Sequence, residues 1–339
     1  LEAVRAGVTC FGDIGRWGKA GFNALKINGL RGILFQETEF SPGNETAKDD
    51  FTRLEEKFLE LKESETNLVK AGISPHAPYT VSPKLFEAIT DYALAENVNL
   101  TIHAAESVQE QNLMLKGEGF FADLYAKQNI KWNAPKMSSI EYFSEIGVLE
   151  AKSLLAHCVK VSEKDIELIA DSDSSIAHCP KSNAKFGHGI APLESFFEQN
   201  VCVGFGSDSM ASNNTCDLLE EARFATILAR TREETKHFLD AQQMVETATI
   251  GGAKALGLEK EIGTIEVGKQ ADLIAISLSD VSQIPVHNIY STLLFATNAG
   301  NVIFTMVAGE ELYSKGKINK LDESALKLKI KEIGEKMSE

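Results

Sequence analysis

No run of apolar residues approaches the ~18 that a bilayer-spanning helix requires, so the sequence offers no transmembrane helix. Positive charge is also scarce: 34 Lys and Arg stand against 49 Asp and Glu, for a net charge of −15. Nucleic acid and anionic membranes both demand a basic footprint, so neither is expected as a partner. The five cysteines, Cys10, Cys158, Cys179, Cys202 and Cys216, form no C-x-x-C pair. They are expected as reduced thiols in a cytoplasmic setting, while their Cys–His neighbours leave a metal reading open. The glycine-rich run Gly187-His188-Gly189 lacks the spacing of a phosphate loop, and Gly251-Gly252 falls late in a helical stretch. Neither suggests a nucleotide phosphate site. There is no internal repeat, and residue 1 is Leu rather than Met, so targeting cannot be judged.

What is present is an alternation. Short apolar runs recur between helical patterns, which is the signature of βα units on a parallel sheet. Expected strands end near Cys10, Phe35, Ser74, His103, His157, Ala177 and Phe205. Helices are expected over 19–28, 49–64, 82–96 and 192–199, with another that starts at Ser162 and holds Ile166 and Ile169, and a long helical stretch over 217–256. Ser82-Pro83 and Ser162-Glu163-Lys164-Asp165 supply helix starts with a hydroxyl cap, the first reinforced by proline. Residues 107–149 are a longer excursion than a plain connection needs, of the kind that shapes a substrate pocket. Residues 179–189 read as an irregular loop.

A (β/α)8 barrel needs one strand more than the seven counted. The chain starts inside a helix, so the expected architecture is an α/β TIM-type barrel over 1–261 that lacks its first strand in this chain. A small C-terminal β-sandwich domain is expected over 262–320, where the glycine-punctuated β pieces lie, and a Lys/Glu-rich surface helix over 321–339.

Several of the strands end in a chemically able residue. Leu100-Thr101-Ile102-His103 runs on to Glu106, Gly72–Pro75 delivers His76, and two others end in His157 and His178. Val203–Ser207 delivers Asp208. Each taken alone reads as a hydrogen-bonded structural residue or a cap. Their shared place at the C-terminal ends of successive strands, where a barrel gathers its active site, points to catalysis. Imidazole with carboxylate suits zinc or ferrous iron with an open position for water. Glu106 can reach such a pocket without ligating the metal, as a proton carrier. His188 reads equally as pocket rim or surface, and His237 and His287 as structural.

Ser74-Pro75-His76-Ala77-Pro78-Tyr79-Thr80, His103-x-x-Glu106, Leu155-Ala156-His157-Cys158, His178-Cys179-Pro180-Lys181-Ser182-Asn183 and Gly206-Ser207-Asp208 occur in that order, with Ala211-Ser212-Asn213-Asn214 behind them. Together with Gly263-Thr264-Ile265-Glu266-Val267-Gly268-Lys269, they resemble the amidohydrolase superfamily over essentially the whole chain. The branch is that of the S-adenosylhomocysteine/methylthioadenosine deaminases, the guanine and cytosine deaminases and the triazine chlorohydrolases. The resemblance implies that His103 and Asp208 are metal ligands, that Glu106 protonates a substrate ring nitrogen, that His157 orients the attacking water and that His76 contacts substrate. It implies one divalent metal, zinc with iron as the alternative, which lowers the pKa of water toward ~7. Asp208 would take the water's proton and help pass it to departing ammonia. No Lys stands at the end of the Gly72–Pro78 strand for carbamylation, which argues against a dinuclear member. No His-x-His occurs, although the family carries two further ligands in that pattern on its first strand.

The expectation is therefore a metal-dependent hydrolytic deaminase of an aminated heterocycle, with an adenine-bearing nucleoside as its small-molecule substrate. A homodimer is the assembly the resemblance implies. The alternatives are a triazine-type chlorohydrolase or other heterocycle aminohydrolase, and a non-catalytic relative acting as a binding protein.

Overall fold

The computed structural model describes residues 1–232 and 238–338. Seven parallel strands carry the first two thirds of the chain: β1 Cys10–Gly15, β2 Arg31–Glu37, β3 Val69–Ser74, β4 Thr101–Ala104, β5 Leu154–His157, β6 Ser175–His178 and β7 Cys202–Phe205. β1, β2 and β3 pair in sequence order, as do β4 to β7. A parallel bridge between Ile73 and Leu100, with Ile73 N–H donating to the Asn99 carbonyl at 3.0 Å, links the two groups. All the pairings within these groups are parallel. The runs Ile33-Leu34-Phe35, Ile102, Leu155 and Ile176 are almost wholly buried, as expected of strands covered on both faces.

Helices return the chain between strands. Phe22 and Leu25 anchor Gly18–Asn28, and Leu54, Phe58 and Leu61 form the buried stripe of Ala47–Glu63. Ser82 caps Pro83–Glu96 by accepting from Leu85 N–H, and Ser162 caps Glu163–Asp171 in a capping box with Asp165. The excursion over 107–149 folds into three helices, Val108–Lys116, Phe120–Lys127 and Ser139–Glu145. Two expectations differ. Pro180–Lys185, expected as loop, is a short helix with proline in its first turn. The stretch over 217–256 is divided into Leu218–Ala229, Ala241–Glu246, a π turn Thr247–Gly251 and Gly252–Ala255, and His237 lies outside the described residues. Gly251 explains the tight passage there, since a Cβ on it would stand 2.4 Å from the Val203 carbonyl oxygen.

Among the described residues, β1 and β7 do not pair with each other. A cavity of about 360 Å³ lies between them, lined by Cys10, Phe11, Gly12, Gly204 and Phe205 and floored by Leu256. Beyond the parallel array, β8 Leu273–Ile276, β9 Val302–Val307, β10 Glu310–Ser314 and β11 Lys317–Ile318 form one antiparallel sheet in the order 11-10-9-8. The second layer of a sandwich is not seen among the described residues of 262–320. Gly263 and Gly268, both at positive φ, turn the chain where a β piece was expected, and Ile265 and Val267 stay exposed. Arg31 on β2 fastens this sheet to the array through a buried pair with Asp272, Nε to Oδ2 at 2.7 Å. The helix Glu323–Ser338 follows on the surface.

Candidate active site

The strand endings converge as the chain pattern requires. His103 sits inside β4, and its backbone N–H donates to the His76 carbonyl at 2.8 Å, so the His76 turn is laid directly beside it. The two imidazoles lie 4.8 Å apart, and His157 stacks on the other side of His103 at 5.5 Å. Glu106 Oε1 stands 3.7 Å from His157 Nε2 and 3.4 Å from His188 Nε2. His188, ambiguous in sequence, thus belongs to the site, where Phe186 stacks on its ring at 5.7 Å. His287 is exposed just before the helix Ile289–Ala296.

The backbone at these endings is unusual. Ala105, His157, Cys158 and Asp208 all adopt positive φ. Left-handed conformations cost non-glycine residues free energy, and they persist where the surroundings over-determine them. At Ala105 the determinant is Glu110, a fully buried carboxylate. It accepts from Ala105 N–H at 2.7 Å, from Glu106 N–H at 2.9 Å and from the Ser139 hydroxyl. Burial nonetheless dominates its titration and pushes it up to about 7. Sequence reasoning passed over Glu110, although Ser107-x-x-Glu110 has the spacing of a capping box and Ser107 does cap this helix.

The titrating groups divide by environment. Burial pushes the Glu106 carboxyl above its usual range, with His188 and His103 pulling it down and Asp208 adding to the rise. Asp208 is also penalised by burial. The Ser182 hydroxyl, the His157 ring and Ser209 N–H outweigh that penalty and hold it below the usual range. Burial lowers His157, His178 and His103, and takes His76 down to about 3. These imidazoles are therefore neutral at pH 7, the state that can ligate a metal. His157 Nδ1 faces the Asn183 amide oxygen at 3.0 Å, so that nitrogen is the donor and Nε2 keeps its lone pair toward Glu106. His178 is buried behind these residues, and its Nδ1 has no protein partner.

Among the described residues, one cluster has three potential metal ligands at close range: Glu37, His76 and His103, with one ligating atom from each lying within 4.8 Å of the others. Asp208 is not part of that cluster. Glu37 is the last residue of β2 and was missed because the apolar run Gly32–Phe35 stops two residues short of it.

The amidohydrolase family model matches residues 1–312. The chain is 32% identical over 327 residues to a 5-methylthioadenosine/S-adenosylhomocysteine deaminase of Thermodesulfovibrio yellowstonii, covering 96% of this chain and 70% of the relative. It is 30% identical to a 5'-deoxyadenosine deaminase of Methanobrevibacter smithii over 100% of this chain and 74% of the relative. Among solved structures, a zinc-bound adenosine deaminase of Xanthomonas campestris superposes with a TM-score of 0.87 at 28% identity, over 99% of this chain and 73% of that one. An atrazine chlorohydrolase of Arthrobacter aurescens crystallised with zinc shares the fold, with a TM-score of 0.80 at 21% identity over 96% of this chain and 73% of that one.

Proposed function

The chain belongs to the amidohydrolase family, and from that premise we propose that it is a hydrolytic deaminase that replaces the 6-amino group of an adenine nucleoside with oxygen. The observation that carries this reading is the pairing of two carboxyls driven apart in pKa at one strand-end mouth. Glu106 is raised and Asp208 is lowered. Titratable neighbours separated in this way take the acid and base roles of a proton-transfer reaction.

The donor set suits a divalent metal, with neutral imidazoles and a carboxylate turned toward one another. His103 would hold it, with Asp208 or Glu37 and His76 as partners, and we read the ion as zinc, with iron as the alternative. A bound divalent metal makes hydroxide available at neutral pH. The remaining work falls to the chain. Glu106, protonated, donates to a ring nitrogen and makes the neighbouring carbon electrophilic. A new C–O bond forms there from water, and Asp208 takes the water's proton. The C–N bond to the exocyclic amine then breaks, the nitrogen leaving as ammonia with the proton held by Asp208, while the added oxygen's remaining proton passes to Glu106 as the C=O bond forms. His157, fixed by Asn183, presents a lone pair that orients the incoming oxygen. His76 lies where it can contact the base.

We also read the parallel array as a (β/α)8 design open at one strand position. The apolar cavity between β1 and β7 supports that reading. On this reading, residues 1–261 are the hydrolase body, 262–320 a small β domain and 321–339 a surface helix. The test of function is ammonia release from adenosine, 5'-deoxyadenosine, 5'-methylthioadenosine and S-adenosylhomocysteine. Release from at least one of them is expected. Failure on all four, with chloride released from a chlorotriazine, would overturn it in favour of a chlorohydrolase.

A further inference from the structure

The helix Pro180–Lys185 has only six residues, yet three parts of the site hang on it. Ser182 Oγ donates to Asp208 Oδ2, and the Asn183 amide oxygen accepts from His157 Nδ1 at 3.0 Å. The Asn183 carbonyl accepts from His188 N–H at 2.9 Å. So short a helix has little cooperative strength of its own. Its place has to be set by its neighbours, and a group of hydrogen bonds reaches it from residues 213–221 behind the mouth.

At the centre of that group is Glu221, on the helix Leu218–Ala229, with its side chain fully buried. Glu221 Oε2 accepts from Lys181 N–H at 3.1 Å, and Oε1 accepts from Asn213 Nδ2 at 2.6 Å. The same Asn213 amide donates its other hydrogen to the Ser207 carbonyl at 2.6 Å. One carboxylate thus reaches the residue before Ser182 directly and the residue before Asp208 through a single side chain. Those are the two segments whose side chains meet at Asp208. The Lys181 ammonium, bonded to Glu220 and to Thr215 at 2.5 Å, stands 3.8 Å from Oε1 and offsets the buried charge.

Packing does not call for an acid at this position. A carboxylate withdrawn from water is costly unless donors meet its oxygens, and an apolar side chain of similar volume fills such a space at no higher free energy. An apolar side chain cannot accept from two chain segments at once.

We propose that Glu221 is a positioning residue, which fixes the Ser182–Asn183 helix against the Asp208 loop and thereby sets how His157 and Asp208 face the incoming water. The kinetic consequence rests on the deaminase reading. The consequence for the His157–Asn183 hydrogen bond does not.

The experiment compares the parent with Glu221→Gln, whose amide turns an N–H toward one of the two donors. Two readouts are taken: ammonia-release kinetics, and the His157 Nδ1–H signal in histidine-selective ¹⁵N NMR. Glu221→Gln is expected to lower kcat by about 10–100-fold through misplacement of the reacting groups. KM should stay within about twofold, as for an interaction that acts in the transition state. The His157 Nδ1–H signal should shift or broaden. Thr226→Ala, which removes a buried hydroxyl from the same helix, serves as the structural control. It should lower the melting temperature and leave kcat and the His157 signal as in the parent.

Because Glu221→Gln can fail to fold, Asn213→Ala gives a second reading by cutting the link to Ser207 alone, with the same direction of change expected. Glu221 and Asn213 act in series, so their losses in kcat should fall short of additivity in the double variant. An unchanged His157 signal in Glu221→Gln overturns the proposal, as does a rise in KM alone, an equal loss in Thr226→Ala, or fully additive losses. If the parent releases ammonia from no nucleoside, the deaminase reading fails, and the His157 signal alone decides the role of Glu221.

Discussion

The two halves of the strand-end mouth use the same residue types to opposite ends. At the ends of β2, β3 and β4, His76 Nδ1 meets the Thr80 hydroxyl and His103 Nδ1 the His76 carbonyl, while Glu37 Oε1 stands 3.8 Å from His76 Nε2, too far for a hydrogen bond. Across β5 to β7 and their loops, the carboxylate is held by donors from several sides. Ser182 and Ser209 hold Asp208, Asn183 pins His157, and His157 and His188 flank Glu106. The identity of a side chain therefore says less about its role than the direction from which its hydrogen bonds arrive.

That contrast can be broken first at Glu106. Glu106→Gln removes the proposed proton donor and should lower ammonia release by about 10²–10⁴-fold. Metal affinity should be unchanged, and a loss of the ion together with turnover would mean that the halves are not separable.

A smaller effect is expected at Glu110, which ties the turn between them. Glu110→Gln sets an amide N–H against N–H donors and should cost about 1–3 kcal/mol in urea unfolding. The pH dependence has a definite sign. The carboxyls of Glu110 and Glu221 are both raised from 4.5 to about 7 by burial, so the native state holds protons that the unfolded chain releases earlier. Their contribution to stability is full below the unfolded value and is lost as pH rises from 4.5 to about 7. The slope is at most about 1.4 kcal/mol per pH unit for each group. Unfolding midpoints that rise with pH through this window in the parent, or that keep the same slope in Glu110→Gln, would contradict the assignment.

The smallest effect belongs to His188, whose charge lowers the Glu106 pKa. Removing it in His188→Ala should let Glu106 keep its proton to higher pH. The alkaline limb of turnover should then move up by less than about one pH unit. A shift to lower pH would mean that His188 acts on some other group.

The strand-end residues His103, Glu106, His157 and Asp208 were legible because each follows a short apolar run in a βα alternation. Glu37 was not, since polar Gln36 ends the apolar pattern while the ladder with β3 continues to Ser74. Pro180–Lys185 escaped because six residues are too few to display a helical period, and its Lys, Ser and Asn side chains suggest a loop. His188 could not be decided from a glycine-rich loop. Only the folding of that loop over β4 brings its ring to Glu106. Ile265 and Val267, expected in a β piece, lie outside any strand and stay exposed, because β-branched residues between glycines favour strands only where a neighbour offers an edge.

By itself, the sequence determined the parallel βα array, the strand ends that bear chemistry and the ordered motifs that the amidohydrolase family shares, because periodicity and residue type are local properties. The tertiary structure alone decided which nitrogen of each histidine is bare, which carboxyl is raised and which lowered, and that Glu37 joins His76 and His103 rather than standing apart. Those are properties of burial and of hydrogen bonds between residues distant in the chain, and no local pattern encodes them.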